Sequence, residues 1–141
     1  MSTEIPFIKD ICRYFADNSD FYFGSADSLP VGKTKWLKAG ELPRDTDGVY
    51  AIQDPSPEAD RETGVQYHTI SFWARNKNTS TAYEHAMEVY NFFHQKHDLP
   101  TDNYYVFQAF GESLPIDQDR DAEGGKLIQV TIQFITRYLI S

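Results

Sequence analysis

The first candidates for chemistry are four acidic residues at alternating positions: Asp117, Asp119, Asp121 and Glu123. Closely spaced carboxylates can bind a hard cation such as Ca²⁺. A calcium loop counted from Asp117 fails, however, because its sixth position is Ala122 instead of Gly and its twelfth is Ile128 instead of a bidentate Glu. The segment is therefore predicted to be a solvated hairpin tip, and we expect no metal there.

The histidines give no stronger metal signal. His94 and His97 lie three positions apart, and His85 lies more than one helical turn away, but no HExxH, CxxC or paired Glu-x-x-His arrangement accompanies them. We expect His97 near a helix C-terminus, where a cation is favoured. A P-loop is excluded because position 27, where its first glycine would stand, is Asp. No Ser or Cys has a nucleophile-elbow context, so no enzyme, catalytic residue or cofactor is predicted.

Length and charge restrict the function further. The 141 residues predict one domain, and 21 acidic against 13 basic residues give a net charge of −8. This charge disfavours binding to nucleic-acid phosphates. Cys12 is the one cysteine, so no internal disulfide is expected, and its position predicts a small buried hydrophobe. The N-terminus has no basic leader and no apolar run approaches a membrane span, which favours a soluble intracellular protein with no membrane contact.

Hydrophobic periodicity predicts the elements that position these residues. Apolar spacing indicates a helix ending near Asn18 with Ser2 or Thr3 as its cap, and a second helix stopped by Leu99 and Pro100. Thr81 and Glu84 have the spacing of a capping box for that helix. Strands are predicted at 21–23, 48–53, 67–75, 104–110 and 126–140, and exposed loops over 24–47 and 54–64.

The strand over 67–75 alternates between an inner face, which includes Ile70 and Phe72, and an outer face, which includes Tyr67 and Trp73. Three residues of the second helix are predicted to pack on the sheet: Tyr83, Met87 and Tyr90. The expected fold class is α/β (α+β), a mixed and mostly antiparallel sheet of about four to five strands, with two main helices packed on it and long loops.

The strand and polar turn from Tyr67 to Lys77, the helix from Ala82 to Phe93 and the alternating strand from Leu127 to Phe134 together resemble a known family. Residues 65–141 are similar to the tail terminator (tail completion) and minor capsid proteins of long-tailed bacteriophages. The resemblance implies a virion protein, made in the host cytoplasm, that forms a homo-hexameric ring on the tail tube near the head-tail junction. Its partners would be the major tail tube protein and the head connector or stopper protein.

Two sets of residues suit that role. Candidate subunit or tube contacts are Lys33, Lys35, Trp36, Lys38, Trp73, Arg75 and Lys77. Opposite charges on separate surfaces favour the heterologous contacts of a closed ring, and aromatic and Arg side chains dominate interfaces. The four acidic residues of the hairpin tip would line the lumen and repel DNA, which passes without specific binding. The acidic loop over 54–64 is the alternative lining, and the sequence does not decide between the two. The lysines could equally be a solvated loop, and Trp73 could be covered by a second helix layer.

Alternative functions remain open at this stage. The chain could be a neck or head-completion component, another minor structural protein of a phage, or a non-catalytic α/β module that binds a protein partner. An enzyme with a carboxylate-based site is a third class, for which no convergent acid, base and nucleophile can be assembled.

Overall fold

The computed structural model describes residues 6–40, 46–53 and 64–139, and the backbone alone of residues 58 and 59. These residues form two helices and nine strands. The helices are α1 (Phe7–Asp17) and α2 (Thr79–Phe93). The strands are β1 (Phe21–Tyr22), β2 (Lys35–Ala39), β3 (Gly48–Gln53), β4 (Glu58–Ala59), β5 (Val65–Asn76), β6 (Lys96–Pro100), β7 (Tyr104–Gly111), β8 (Ile116–Arg120) and β9 (Lys126–Tyr138).

All nine strands belong to one sheet, whose main order is β1-β2-β3-β5-β9-β7-β6. The first three strands of this order pair in parallel, and every other pair is antiparallel. The long pair of β5 and β9 forms the centre, in register from Val65 opposite Arg137 to Asn76 opposite Lys126. Strands β7 and β8 follow one another along the same edge of β9, separated by residues 112–115.

The predicted α/β class with four to five strands is wrong, because the described residues form a mostly β structure with nine strands. The segments missed are β2, β4, β6 and β8. Strands β6 and β8 have almost entirely exposed side chains, so they carry no alternation of apolar and polar residues that a sequence could reveal. They are held instead by backbone hydrogen bonds to β7 and β9. The predicted loop over 54–64 lies outside the described residues, apart from β4 and Gly64.

Both helices pack on the inner face of the sheet. Alternate residues of β5 and β9 are buried there, as predicted for Ile70 and Phe72. Helix α2 contributes Ala82, Ala86, Val89 and Phe93, and α1 contributes Phe7, Ile11, Cys12 and Phe15. Burial raises the pKa of the Cys12 thiol, which keeps it protonated.

Two predictions for α2 are wrong. Tyr83 is 47% exposed instead of packed on the sheet. The helix face that contains Ala82 and Ala86 packs on the strands instead, because these small side chains allow a close approach. The helix begins earlier than the Thr81 capping box implies, since Asn78 is the N-cap and its side chain accepts a 3.0 Å hydrogen bond from the Thr81 N–H. For α1, Pro6 occupies the N-cap, and the proposed caps Ser2 and Thr3 lie outside the described residues.

The end of α2 also differs from the prediction. The helix ends at Phe93 with His94 as its C-cap, and the chain reverses through Gln95 at φ 58°. His94 stacks on Tyr90, with ring centroids 4.6 Å apart, and its Nδ1 accepts a 3.1 Å hydrogen bond from the Gly111 N–H. His97 therefore lies in β6 instead of at a helix C-terminus.

Candidate functional site

The acidic hairpin comprises β8, β9 and the turn between them. Asp117, Asp119 and Glu123 are exposed, and the Asp117 carboxylate pairs with the Lys126 ammonium. Asp121 differs from the other three acidic residues because it folds back into the turn. Its Oδ1 accepts hydrogen bonds from the Glu123 N–H at 3.0 Å and the Gly125 N–H at 2.8 Å. The hairpin thus has three exposed carboxylates, of which Asp117 is paired with Lys126, and uses the fourth to hold its own backbone.

Arg75, at the end of β5, fixes this hairpin to the sheet. Its side chain is 0% exposed, and it donates 2.7 Å hydrogen bonds from Nε to Asp121 and from Nη1 to Asp47. The hydrogen bond from Arg75 lowers the pKa of Asp121 below its usual range. Within the subunit both carboxylates enclose the Arg75 guanidinium, and the contact of Arg75 with a neighbouring subunit or the tube stays a prediction.

The lysine cluster is likewise engaged within the chain. The Lys33 ammonium donates to the carbonyls of Ala16 at 2.6 Å and Ser19 at 2.8 Å, where it caps the C-terminal end of α1. Lys35 lies 2.9 Å from an Asp20 carboxylate oxygen and 2.8 Å from one of Glu88, and so joins β2 to α2.

Lys38 lies over aromatic rings, 6.0 Å from the centroid of Trp36 and 5.9 Å from that of Tyr50. The ammonium groups of Lys33, Lys35 and Lys38 therefore stabilise the subunit itself. Trp36 and Trp73 are half-buried, and Lys77 is exposed after the end of β5.

No metal centre is present in the described ranges 6–40, 46–53 and 64–139: no three His, Cys, Asp or Glu side chains there are grouped to hold an ion. His68 of β5 is buried in the core. Its Nδ1 accepts a 2.7 Å hydrogen bond from the Gln53 amide, and its Nε2 therefore donates to Gln66 at 3.0 Å. Burial lowers the pKa of His68 to about 4. Its ring stacks on Phe7 at 4.5 Å, which is a structural role.

The outer face of the sheet has no helix over it among the described residues. We call "the sheet face" the outward side chains within residues 67–71 of β5, 129–135 of β9 and 107–110 of β7. None of the residues in these ranges is Asp, Glu, Lys or Arg, although 24% of the chain is charged. Tyr67 is 46% exposed and Phe107 38% exposed, so aromatic surface meets solvent at one end of the face. In the sequence, this face is indicated by the outward positions of β9, where Gln129, Thr131 and Gln133 are polar but uncharged.

The opposite, helical layer carries a groove between α1, α2 and β6. It encloses about 600 Å³ and is lined by apolar side chains that include Tyr14, Phe92 and Leu99. Glu88 also lies there, with its charge balanced by Lys35, and Lys96 supplies a cation. The two layers therefore each present a surface that suits a protein contact. No helix among the described residues is long and apolar enough to cross a membrane.

These features define a protein whose ionisable groups maintain its shape and whose two layers offer surfaces for protein contact. The model of the bacteriophage tail terminator protein family matches residues 22–138, and the chain belongs to this family. It is therefore a structural protein of the phage tail and a virion component, which associates with other virion components.

A chain from the virion of a native gene transfer agent (GTA) particle is similar at 16% identity, over 71% of this chain and 77% of that one, with a TM-score of 0.47. No curated protein matches the chain.

Proposed function

We propose that this chain is the terminator of a phage tail, which closes into a ring of six on the last disc of the tail tube, stops its polymerisation and joins the tail to the head connector. The observation that carries this proposal is the family match over residues 22–138. The partners are further copies of the chain, the major tail tube protein and the connector or stopper protein. The protein acts at the head-proximal end of the tail and makes or breaks no covalent bond.

The charge distribution supports this role. DNA must pass through the ring, and a basic lining would retain its phosphates by counterion release, whereas carboxylates repel them. The acidic hairpin presents Asp117, Asp119 and Glu123 outward, so we place it at the lumen. The net charge of −8 on the chain also repels the phosphates of DNA. The candidates for contact with a neighbouring subunit or the tube remain those of the sequence: Lys33, Lys35, Trp36, Lys38, Trp73, Arg75 and Lys77.

Polymerisation of the tail tube tests the proposal. Tube subunits from the same virus are assembled with and without this protein, and tube lengths are measured by electron microscopy. Tubes capped by a ring and shorter as the protein concentration rises are expected. An unrelated protein of similar net charge controls for a non-specific effect of acidity. Tubes of unchanged length without a terminal ring would contradict the proposed function.

A further inference from the structure

Two short segments of the chain have nearly the same sequence. Residues 27–31 read Asp-Ser-Leu-Pro-Val and residues 112–116 read Glu-Ser-Leu-Pro-Ile, so an acidic residue, Ser-Leu-Pro and a β-branched residue follow one another in both. A Phe-Gly pair precedes each segment, with two residues between in the first case and none in the second. We call residues 27–31 and 112–116 the twin segments. The first lies between β1 and β2, and the second connects β7 to β8 and includes the first residue of β8.

The twin segments contain the most exposed apolar side chains among the described residues. Val31 is fully exposed, Leu114 is 61% exposed and Ile116 is 48% exposed, and no other large hydrophobic side chain in the described part of the chain is more exposed than these three. A single exposed hydrophobic residue is common on a soluble protein and needs no explanation. The concentration of all three in two copies of one sequence pattern indicates a shared use, which is contact with a protein.

Both segments are held in shape before any partner binds. Proline fixes its own φ and restricts the preceding residue, a leucine in each segment, to extended conformations. In the first segment, the Lys33 N–H donates a 3.1 Å hydrogen bond to the Pro30 carbonyl. At the start of the second, the Glu112 N–H donates a 3.0 Å hydrogen bond to the Thr131 carbonyl. A segment that is ordered beforehand loses less entropy on association.

We propose that the twin segments are two docking segments of one kind, which insert their exposed apolar side chains into like pockets of the tail tube. The inference rests on the proposed function and names the surface that contacts the tube. Two like segments require two like pockets, and a tube built from copies of one subunit presents the same pocket repeatedly. A second copy of this chain is a poor partner, because two chains of net charge −8 repel each other.

The composition of the segments defines the chemistry of the pocket. Leu-Pro followed by Val or Ile fits an apolar cleft that accepts an extended chain. The acidic residue at the start of each segment, Asp27 or Glu112, is exposed, and Glu112 also accepts a hydrogen bond from the Gln133 amide. A Lys or Arg at the rim of the cleft would complement these carboxylates.

The sheet order determines how the two segments are used. Strands β3, β5 and β9 separate β2 from β8, so the twin segments lie on different flanks of the subunit and contact separate pockets. Two simultaneous contacts from one rigid subunit give an avidity that exceeds the affinity of either contact alone. Loss of one segment should therefore weaken binding to the tube, and loss of both should weaken it further.

Co-sedimentation with preassembled tail tubes from the same virus measures the two contacts. Val31→Asp changes the first segment, Leu114→Asp changes the second, and Leu139→Asp alters an exposed aliphatic side chain outside both. Each segment variant is expected to bind tubes at least about tenfold more weakly, and the double variant more weakly than either, whereas the control binds like the original chain. Circular dichroism checks that each variant folds. Equal binding by the folded double variant and the control would overturn the inference.

A competing peptide tests whether the two segments use one kind of pocket. The peptide Asp-Ser-Leu-Pro-Val, at millimolar concentration, should displace both the original chain and the Val31→Asp variant from tubes, because that variant binds through residues 112–116. The same five residues in scrambled order are the control. Displacement of neither protein, displacement of the original chain alone, or equal displacement by the scrambled peptide would overturn the inference. If a variant does not fold, displacement of the original chain decides.

The contact and the proposed function can fail separately. Tubes that are capped and shortened equally by the original chain and by the double variant would refute this contact alone. Binding to tubes that the peptide abolishes, with no effect of the chain on tube length, would refute the proposed function alone. An original chain that does not bind tubes at all would contradict both.

Discussion

The Arg75 Nε lies 2.7 Å from the Asp121 Oδ2, although 46 residues separate the two along the chain. This ion pair joins the end of β5 to the turn of the acidic hairpin, and Asp47 binds the same guanidinium from the start of β3. A buried arginine costs several kcal/mol to desolvate unless its partners are in place. The conformation of the hairpin is therefore coupled to the folding of the sheet centre.

Loss of one carboxylate partner of Arg75 should lower the stability of the fold. We expect Asp121→Ala to lower the free energy of unfolding by about 2 to 3 kcal/mol, because Arg75 stays buried with one carboxylate fewer. Asp119→Ala removes an exposed carboxylate of the same hairpin and should change stability by less than about 0.5 kcal/mol. Urea unfolding of the two variants measures the difference. Equal stabilities would show that the ion pair contributes nothing.

The approach of Gly125 to Arg75 gives a related prediction. A Cβ at Gly125 would lie 2.3 Å from the Arg75 Nε, and Asp121 and Asp47 hold the buried guanidinium in place. Gly125→Ala should cost about 1 to 3 kcal/mol by overpacking. In the Asp121→Ala background the cost should be smaller, because the guanidinium is then free to shift. A double-mutant cycle by urea unfolding checks this, and strictly additive effects would contradict it.

Whether a strand could be predicted from the sequence depends on the interactions that stabilise it. The period-two patterns of β5 and β9 arise from burial of one face of each strand, so both strands were predictable. Strand β6 has no such pattern, since its residues are mostly exposed and backbone hydrogen bonds to β7 hold it in place.

At the candidate site, the sequence did not reveal the ion pairs within the chain, because they join distant segments. Arg75 and Lys35 look like surface cations in sequence, because the carboxylates that neutralise them, Asp121 and Glu88, are more than 40 positions away. Only the tertiary structure brings such groups together. Asp117 and Asp119 lie on an exposed strand at the edge of the sheet. Their exposure could therefore be predicted without knowing which residues lie near them in the fold.

The neutral, buried His68 predicts a dependence of stability on pH. Its folded-state pKa of about 4 lies below the value of about 6.5 for an unfolded chain, so protons bind the unfolded state more readily. The stability it contributes is complete above about pH 6.5 and is lost progressively as the pH falls towards 4. From pH 7.5 to 5.5 we expect a loss of about 1 kcal/mol.

Substitution of the ring isolates this contribution. His68→Phe retains the stack on Phe7 but cannot titrate, so its stability should vary less over that pH interval than that of the original chain. His97→Gln removes an exposed histidine outside the core and is the control for loss of a histidine. Burial also lowers the pKa of His85, whose contribution has the same sign and persists in both variants. Chemical denaturation at a series of pH values provides the measurement, and an unaltered slope in His68→Phe would disprove the role.

The outward acidic residues of the hairpin give the prediction closest to function. Changing Asp117, Asp119 and Glu123 to Lys, while Asp121 is kept for Arg75, should leave particles assembled but slow the ejection of DNA. Lysines at the lumen would bind phosphates, so the delay should shrink as salt is raised. A control that changes Asp17, Asp27 and Glu84 to Lys adds the same charge at exposed sites outside the hairpin. Ejection is followed by the fluorescence of a dye that binds released DNA. Equal ejection rates for the two sets of variants would contradict the placement of the hairpin at the lumen. A delay found only in the hairpin set would support a role for its negative charge in the passage of DNA.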